Sequence, residues 1–212
     1  MTTAPATPVP PIETAQTFME RCEVFFPHAE CVKLSVVYKL AKFEHRAQVR
    51  KGETDPKGRP VRYFEHVRRV ALILLDEAGI VDVDTISIAL FHDAVEDTRL
   101  SPEEITLVSG PEVSKRVMLC SKKPKAGFRQ RLEVHGDYKV LAVKVADRTD
   151  NLRTLGECSR EFWAKQVAES IEMYVPLADL MVERGIGTGH LASLKTLRNA
   201  FLNTLEVVRK SR

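Results

Sequence analysis

The stretch Ile88-Ala-Leu-Phe-His-Asp-Ala-Val-Glu-Asp-Thr98 passes from an apolar run straight into four ionisable side chains. On a helix, at about 100° per residue, His92 and Glu96 fall about 40° apart, as do Asp93 and Asp97, and all four share an arc of about 140°. Charge that continues an apolar helix is costly unless something compensates it. A bound cation is the simplest compensation, and an imidazole beside a carboxylate suits a divalent transition metal. The alternative is a helix whose last turns emerge into water.

Working outward, the preceding segment from Tyr63 to Ala78 sets Phe64, Val67, Val70, Ala71, Leu74 and Leu75 on one helical stripe, and Gly79 is a natural stop. His66 rides on that helix, either as a further ligand or as an ordinary interface histidine. Asp84 is expected to cap a helix over Thr85 to Glu96. Ser101 with Glu104 reads as a capping box, and Pro102 suits the first helical position. Further helices are expected over Glu13 to Phe26, Val32 to Arg50, Pro111 to Cys120, Tyr138 to Leu155, Glu161 to Gly185 and His190 to Lys210. Val140 to Val145 is a strand candidate, but helical periodicity continues beyond it. In that register Asp147, Asn151 and Thr154 share a face. Asp147 fits a metal site, and it equally fits an ion pair with Lys144 or Arg148. Residues 51–60, rich in Gly, Pro and Asp, read as a polar loop. The fold class is therefore all-α, a single helical bundle over 13–212. Residues 1–12 hold Pro5, Pro8, Pro10 and Pro11 and no charge, which reads as a flexible tail.

A chain of 212 residues can bury a core without disulfides. Lys and Arg number 32 against 29 Asp and Glu, a net charge of +3. That excess permits an anionic small molecule but is too slight to argue for nucleic acid. No run is apolar enough to span a membrane, and the first residues lack a secretory pattern. Cys22, Cys31, Cys120 and Cys158 form no CxxC pair, which fits thiols in a reducing cytoplasm.

A histidine, then a His-Asp pair, then a distant Asp resembles the signature of HD-domain metal-dependent phosphohydrolases. Longer motifs narrow the likeness. His45-Arg-Ala-Gln-Val-Arg-Lys51, Tyr63-Phe-Glu-His66, Leu90-Phe-His-Asp-Ala-Val-Glu-Asp-Thr98 and Val143-Lys-Val-Ala-Asp-Arg-Thr-Asp-Asn-Leu-Arg-Thr-Leu155 resemble the hydrolase domain of the RelA/SpoT family. Glu169-Ser-Ile-Glu-Met-Tyr-Val-Pro-Leu-Ala178 is similar to the last helix of that domain. The likeness covers 33–185 most strongly, as in a stand-alone small alarmone hydrolase.

The resemblance implies a metal site in the core cleft, with His66, His92, Asp93 and Asp147 as ligands, usually of Mn²⁺. Fe²⁺, Zn²⁺ or Ni²⁺ can bind such a donor set in its place. It implies Glu96 and Asp97 as the acidic pair assisting water attack. It implies Arg50 and Lys51 lining the nucleotide pocket, and Asn151 and Thr154 holding the sugar and phosphate side. The implied reaction removes the 3′-pyrophosphate of guanosine tetra- or pentaphosphate in the cytoplasm, with a small nucleotide as the partner. Adenosine alarmones, NADPH and nucleoside monophosphates are the alternative substrates, and a non-catalytic nucleotide sensor is the alternative class.

The motifs also depart from the usual pattern. Val67 stands where a proline normally follows the first ligand, and Thr149-Asp150 replaces Leu-His before Asn151. Arg62, Glu65 and Asp150 can thereby retune base or phosphate preference. Lys115, Arg116, Lys122, Lys123, Lys125, Arg129 and Arg131 form either a phosphate-attracting lip or a solvated loop. His45 and Trp163 read as structural. Gly185 to Gly189 reads as a turn between helices, since no strand precedes it.

Overall fold

The computed structural model describes residues 14–156 and 158–211. The tail expected over 1–12 lies outside them. Helix α1 (Ala15–Phe25) opens on a capping box in which Thr14 and Thr17 exchange hydrogen bonds. Helix α2 (His28–Glu44) follows and stops short of the expected Arg50. The stretch read as a polar loop is instead an antiparallel hairpin, β1 (Val49–Thr54) with β2 (Pro60–Arg62). Its turn is closed by Asp55, whose carboxylate accepts from the Lys57 and Arg59 amides, and Gly58 supplies a φ of 75°.

Helix α3 (Tyr63–Leu72) runs on through a π turn, Ile73–Glu77, to Gly79 at a φ of 69°. Helix α4 (Val83–Phe91) is capped by Asp82 rather than Asp84, since only Asp82 is spaced to accept from the Thr85 amide. The helix expected to continue to Glu96 breaks at His92 and Asp93, and α5 (Ala94–Asp97) resumes it. Helix α6 (Pro102–Ser109) shows the expected Ser101/Glu104 box, and α7 (Pro111–Cys120) follows. Helix α8 (Phe128–His135) forms within the basic segment, beginning after Gly127 in the left-handed region. Then come α9 (Tyr138–Arg153), α10 (Arg160–Glu169), a π turn (Ser170–Tyr174), α11 (Val175–Arg184) and α12 (Leu191–Lys210).

Helix α9 is the hub. It packs against α3, α4, α7, α11 and α12. Every residue from Val140 to Asp150 is buried, as in a helix enclosed on all sides. The apolar stripe of α12, with Leu194, Leu197, Phe201 and Leu205, is spent against this chain's own core. The fold is all-α apart from the hairpin, and among the described residues no helix is long and apolar enough to cross a membrane.

Candidate metal centre

Helix α9 encloses Lys144, Asp147, Arg148, Thr149 and Asp150, all 3% exposed or less. Buried ions survive only when paired or bound to a metal. Lys144 Nζ donates to Asp147 Oδ2 at 2.7 Å, so the ion pair considered from sequence exists. It uses one carboxylate oxygen. The other, Oδ1, lies 3.3 Å from His66 Nε2 on α3 and 3.9 Å from His92 Nε2 at the end of α4.

Hydrogen bonds fix which imidazole nitrogens carry protons. His92 Nδ1 lies 2.7 Å from the Ala89 carbonyl, which can only accept. His66 Nδ1 lies 2.6 Å from Asp150 Oδ2, likewise an acceptor. Both Nδ1 atoms are therefore donors, and the Nε2 atoms face each other and two carboxylates. His92 Nε2 is buried without a hydrogen-bond partner. It sits 2.9 Å from Asp93 Oδ2, which is 3.8 Å from His66 Nε2. With both rings neutral, four lone-pair atoms so arranged repel one another unless a proton or a metal ion stands among them. Donors at right angles on a six-coordinate ion with bonds of about 2.1 Å are about 3 Å apart, close to the shorter of these separations. His66, His92 and Asp147 each bring one donor atom within 4.8 Å of the others. Asp93 borders it, and Tyr63 Oη donates to its Oδ2 at 2.5 Å.

The electrostatics agree with a site built for positive charge. Burial opposes ionisation of Asp93, but His92 holds the carboxyl well below the usual range. Burial opposes it at Asp147 too, and Lys144 and His66 outweigh it. Burial lowers the proton affinity of His66, yet its bonds to Asp147 and Asp150 raise it overall. A divalent ion would compete with that proton at Nε2. The two-imidazole, two-carboxylate donor set and the orphaned His92 Nε2 fit such an ion.

The remaining expected residues divide. On α5, Glu96 Oε2 accepts from the Lys122 amide at 2.7 Å, and the Lys123 ammonium reaches the Glu96 carbonyl. Asp97 is raised by burial and by the nearby Asp93 and Glu96 carboxylates. Arg50, Asn151 and Thr154 meet: Arg50 donates to Asn151 Oδ1 at 2.9 Å and to Thr154 Oγ1 at 3.2 Å. Lys51 does not join them. Neighbouring strand residues face opposite sides, and Lys51 is exposed. Within the basic segment, Arg116 pairs with Glu112 and Asp137, Arg129 with Glu133, and Arg131 binds the Ala126 and Pro124 carbonyls. His45 is buried and stacked on Tyr63.

Sequence reasoning gave no role to Tyr63, Arg69 or Glu53, and read Lys144 only as an ion-pair partner of Asp147. Tyr63 and Lys144 each lie three residues before a ligand, a spacing that was a usable signal. Arg69 lies three residues after His66 on α3, the same spacing, whereas Glu53 reaches the site only through the hairpin and carried no such signal.

Known proteins bear on this geometry. A family profile described as HD domain matches residues 43–180. The GTP pyrophosphokinase rsh of Brucella melitensis biotype 1 is 36% identical over 175 residues, which cover 77% of this chain and 22% of that protein. The bifunctional (p)ppGpp synthase/hydrolase SpoT of Escherichia coli K12 is 30% identical, covering 74% and 23%. The chain thus spans less than a quarter of the length of these curated relatives. A solved structure described as a metazoan ortholog of SpoT that hydrolyzes ppGpp superposes with a TM-score of 0.57 at 30% identity, covering 84% of this chain and 97% of that one.

Proposed function

We propose, from the premise that the chain belongs to the HD domain family with homology to the RelA/SpoT (p)ppGpp hydrolases, that it is a 3′-pyrophosphohydrolase. Its substrate is guanosine tetra- or pentaphosphate, and it leaves GDP or GTP. One relative, from Escherichia coli O157:H7, carries the name guanosine-3′,5′-bis(diphosphate) 3′-pyrophosphohydrolase. The observation that carries the reading is the convergence of His66 Nε2, His92 Nε2, Asp93 Oδ2 and Asp147 Oδ1 beside a cluster of Arg50, Asn151 and Thr154. The first four would hold a divalent ion, and their mixed nitrogen and oxygen donors suit Mn²⁺. When bound, such an ion neutralises phosphate charge and acidifies a water. We place the enzyme in the cytoplasm, acting on a small nucleotide rather than nucleic acid or a membrane.

In the reaction a water oxygen bonds to the phosphorus on the 3′ side, the bond from that phosphorus to ribose O3′ breaks, and O3′ takes up a proton. Asp97 is the group we assign to handle the water's proton. Its raised proton affinity suits a carboxylate that both takes and returns one. Glu96, tied to the Lys122 amide, anchors the short helix that presents Asp97. Arg50, which Asn151 and Thr154 hold in place, meets the anionic substrate. Lys51, on the other face of the strand, draws the nucleotide in by charge alone.

The test is incubation with guanosine tetraphosphate and Mn²⁺, with products resolved by anion exchange. GDP and pyrophosphate are expected. Release of orthophosphate, or turnover confined to nucleoside monophosphates, overturns the reading. Parallel arms with adenosine tetraphosphate and NADPH rank the alternatives. Asp97→Asn is expected to cut turnover by about 100- to 10,000-fold with metal content unchanged.

A further inference from the structure

The contacts around Asp150 form a closed circuit. Asp150 Oδ2 accepts from His66 Nδ1 at 2.6 Å, and Oδ1 accepts from Arg69 Nε at 2.6 Å. Arg69 Nη2 also donates to Asp150 Oδ2 at 3.2 Å, and both terminal nitrogens reach Glu53 of β1, with Nη1 to Oε1 at 2.9 Å and Nη2 to Oε2 at 3.0 Å. Glu53 Oε2 is also 3.4 Å from Arg50 Nε. Arg50 passes to Asn151, whose amide donates to Asp147 Oδ1 at 2.6 Å. Asp147 Oδ1 lies 3.3 Å from His66 Nε2, where the circuit began. Asp150 is 1% exposed and His66 is 1% exposed.

This geometry has two physical consequences. A carboxylate on Nδ1 fixes the tautomer and the ring plane of His66, which leaves Nε2 as the donor atom; such outer partners commonly set metal affinity. A planar guanidinium gripping two carboxylates at once is also rigid, so β1 cannot shift without disturbing Asp150. We propose that Asp150 is a positioning residue that couples the cation site to the hairpin, through Arg69 and Glu53, so that loading the ion and holding Arg50 over the site are one event. The inference rests on the metal-centre reading above.

The test uses the full chain and two readouts that need no turnover: Mn²⁺ affinity by calorimetry, and amide hydrogen exchange over residues 49–54 with and without Mn²⁺. In the unaltered protein Mn²⁺ slows exchange across β1. Asp150→Asn weakens Mn²⁺ binding by about 10- to 100-fold and abolishes the added protection. Arg69→Met, which leaves the His66 contact in place, keeps affinity within about threefold of the original yet loses the protection. Should Asp150→Asn fail to fold, Glu53→Gln on the hairpin serves, and it must lose the metal-dependent protection while circular dichroism stays native. Unchanged affinity in Asp150→Asn, or protection that survives in Arg69→Met and in Glu53→Gln, overturns the coupling while leaving the metal centre standing. Absence of any Mn²⁺ binding by the unaltered chain defeats the metal-centre reading itself, and this inference with it.

Discussion

Lys144 shows how one residue can serve both a core and a site. Its ammonium is 1% exposed and bonds only one oxygen of Asp147. Burial works against that charge, but Asp147, then Tyr174 and Asp93, raise its proton affinity overall. A cation bound at the candidate site would therefore share with Lys144 the neutralisation of these carboxylates. Lys144→Met removes the lysine's share. In the metal-free protein the loss is expected to be about 3–5 kcal/mol, the usual consequence of breaking a buried pair. Because the uncompensated carboxylates then depend more on a cation, Mn²⁺ is expected to stabilise Lys144→Met by more than it stabilises the original chain. Urea titrations with and without Mn²⁺ measure both quantities, and an equal Mn²⁺ increment in the two proteins contradicts the shared-neutralisation argument. At this scale much of the site was legible. His92, Asp93 and Asp147 stand out because charge in an apolar helix demands an explanation, and that demand needs no coordinates. Whether Asp147 served a metal or Lys144 was not decidable, since the two uses occupy different oxygens of one side chain.

Helix ends were legible where a side chain caps its own backbone and poorly legible where packing chose between candidates. Ser101 and Glu104 form their box as the spacing requires. Asp82 and Asp84 both precede Thr85, and the choice between them fell to Asp82, which bonds the Thr85 amide and hydroxyl as well as Lys139. Asp84 is drawn instead to Lys33. The hairpin was not legible as strands, because Val49-Arg-Lys-Gly-Glu-Thr54 lacks apolar alternation and pairs over polar side chains. A consequence of the Asp82 cap can be measured. Burial opposes its ionisation, but Thr85 and Lys139 hold the carboxyl below its ordinary value. A group depressed in the folded state stabilises fully above its unfolded pKa, about 4, and that contribution is lost as pH falls through the depressed value. Asp82→Ala is expected to cost about 1 kcal/mol at neutral pH. Its deficit relative to the original chain is expected to shrink as pH falls below about 4. A deficit that stays constant from pH 6 to pH 3 would show that the carboxylate's charge is not what stabilises α4.

Across the whole molecule, the candidate ligands come from three separate segments: His66 from α3, His92 and Asp93 from the break between α4 and α5, and Asp147 from α9, which also touches α7, α11 and α12. An ion held by all three ties together elements distant in sequence, and its binding free energy adds to the stability of the folded chain alone. Periodicity made the bundle legible, whereas the meeting of these three segments was expected through the family resemblance alone, since it depends on how α9 is enclosed. At a free Mn²⁺ concentration about 100 times the dissociation constant, the folded state gains about 2.7 kcal/mol. For a domain of this size that corresponds to a rise of roughly 5–10 °C in melting temperature. His92→Gln keeps a polar side chain of similar reach but removes the imidazole nitrogen that lacks a partner, so it is expected to melt at the same temperature with Mn²⁺ as with chelator. The unaltered chain is expected to show the full rise, reversed by EDTA. Calorimetric melting of both proteins at matched Mn²⁺ activity decides the matter. If His92→Gln gains as much from Mn²⁺ as the original chain does, the ion binds elsewhere, and α4 does not take part in the cross-link.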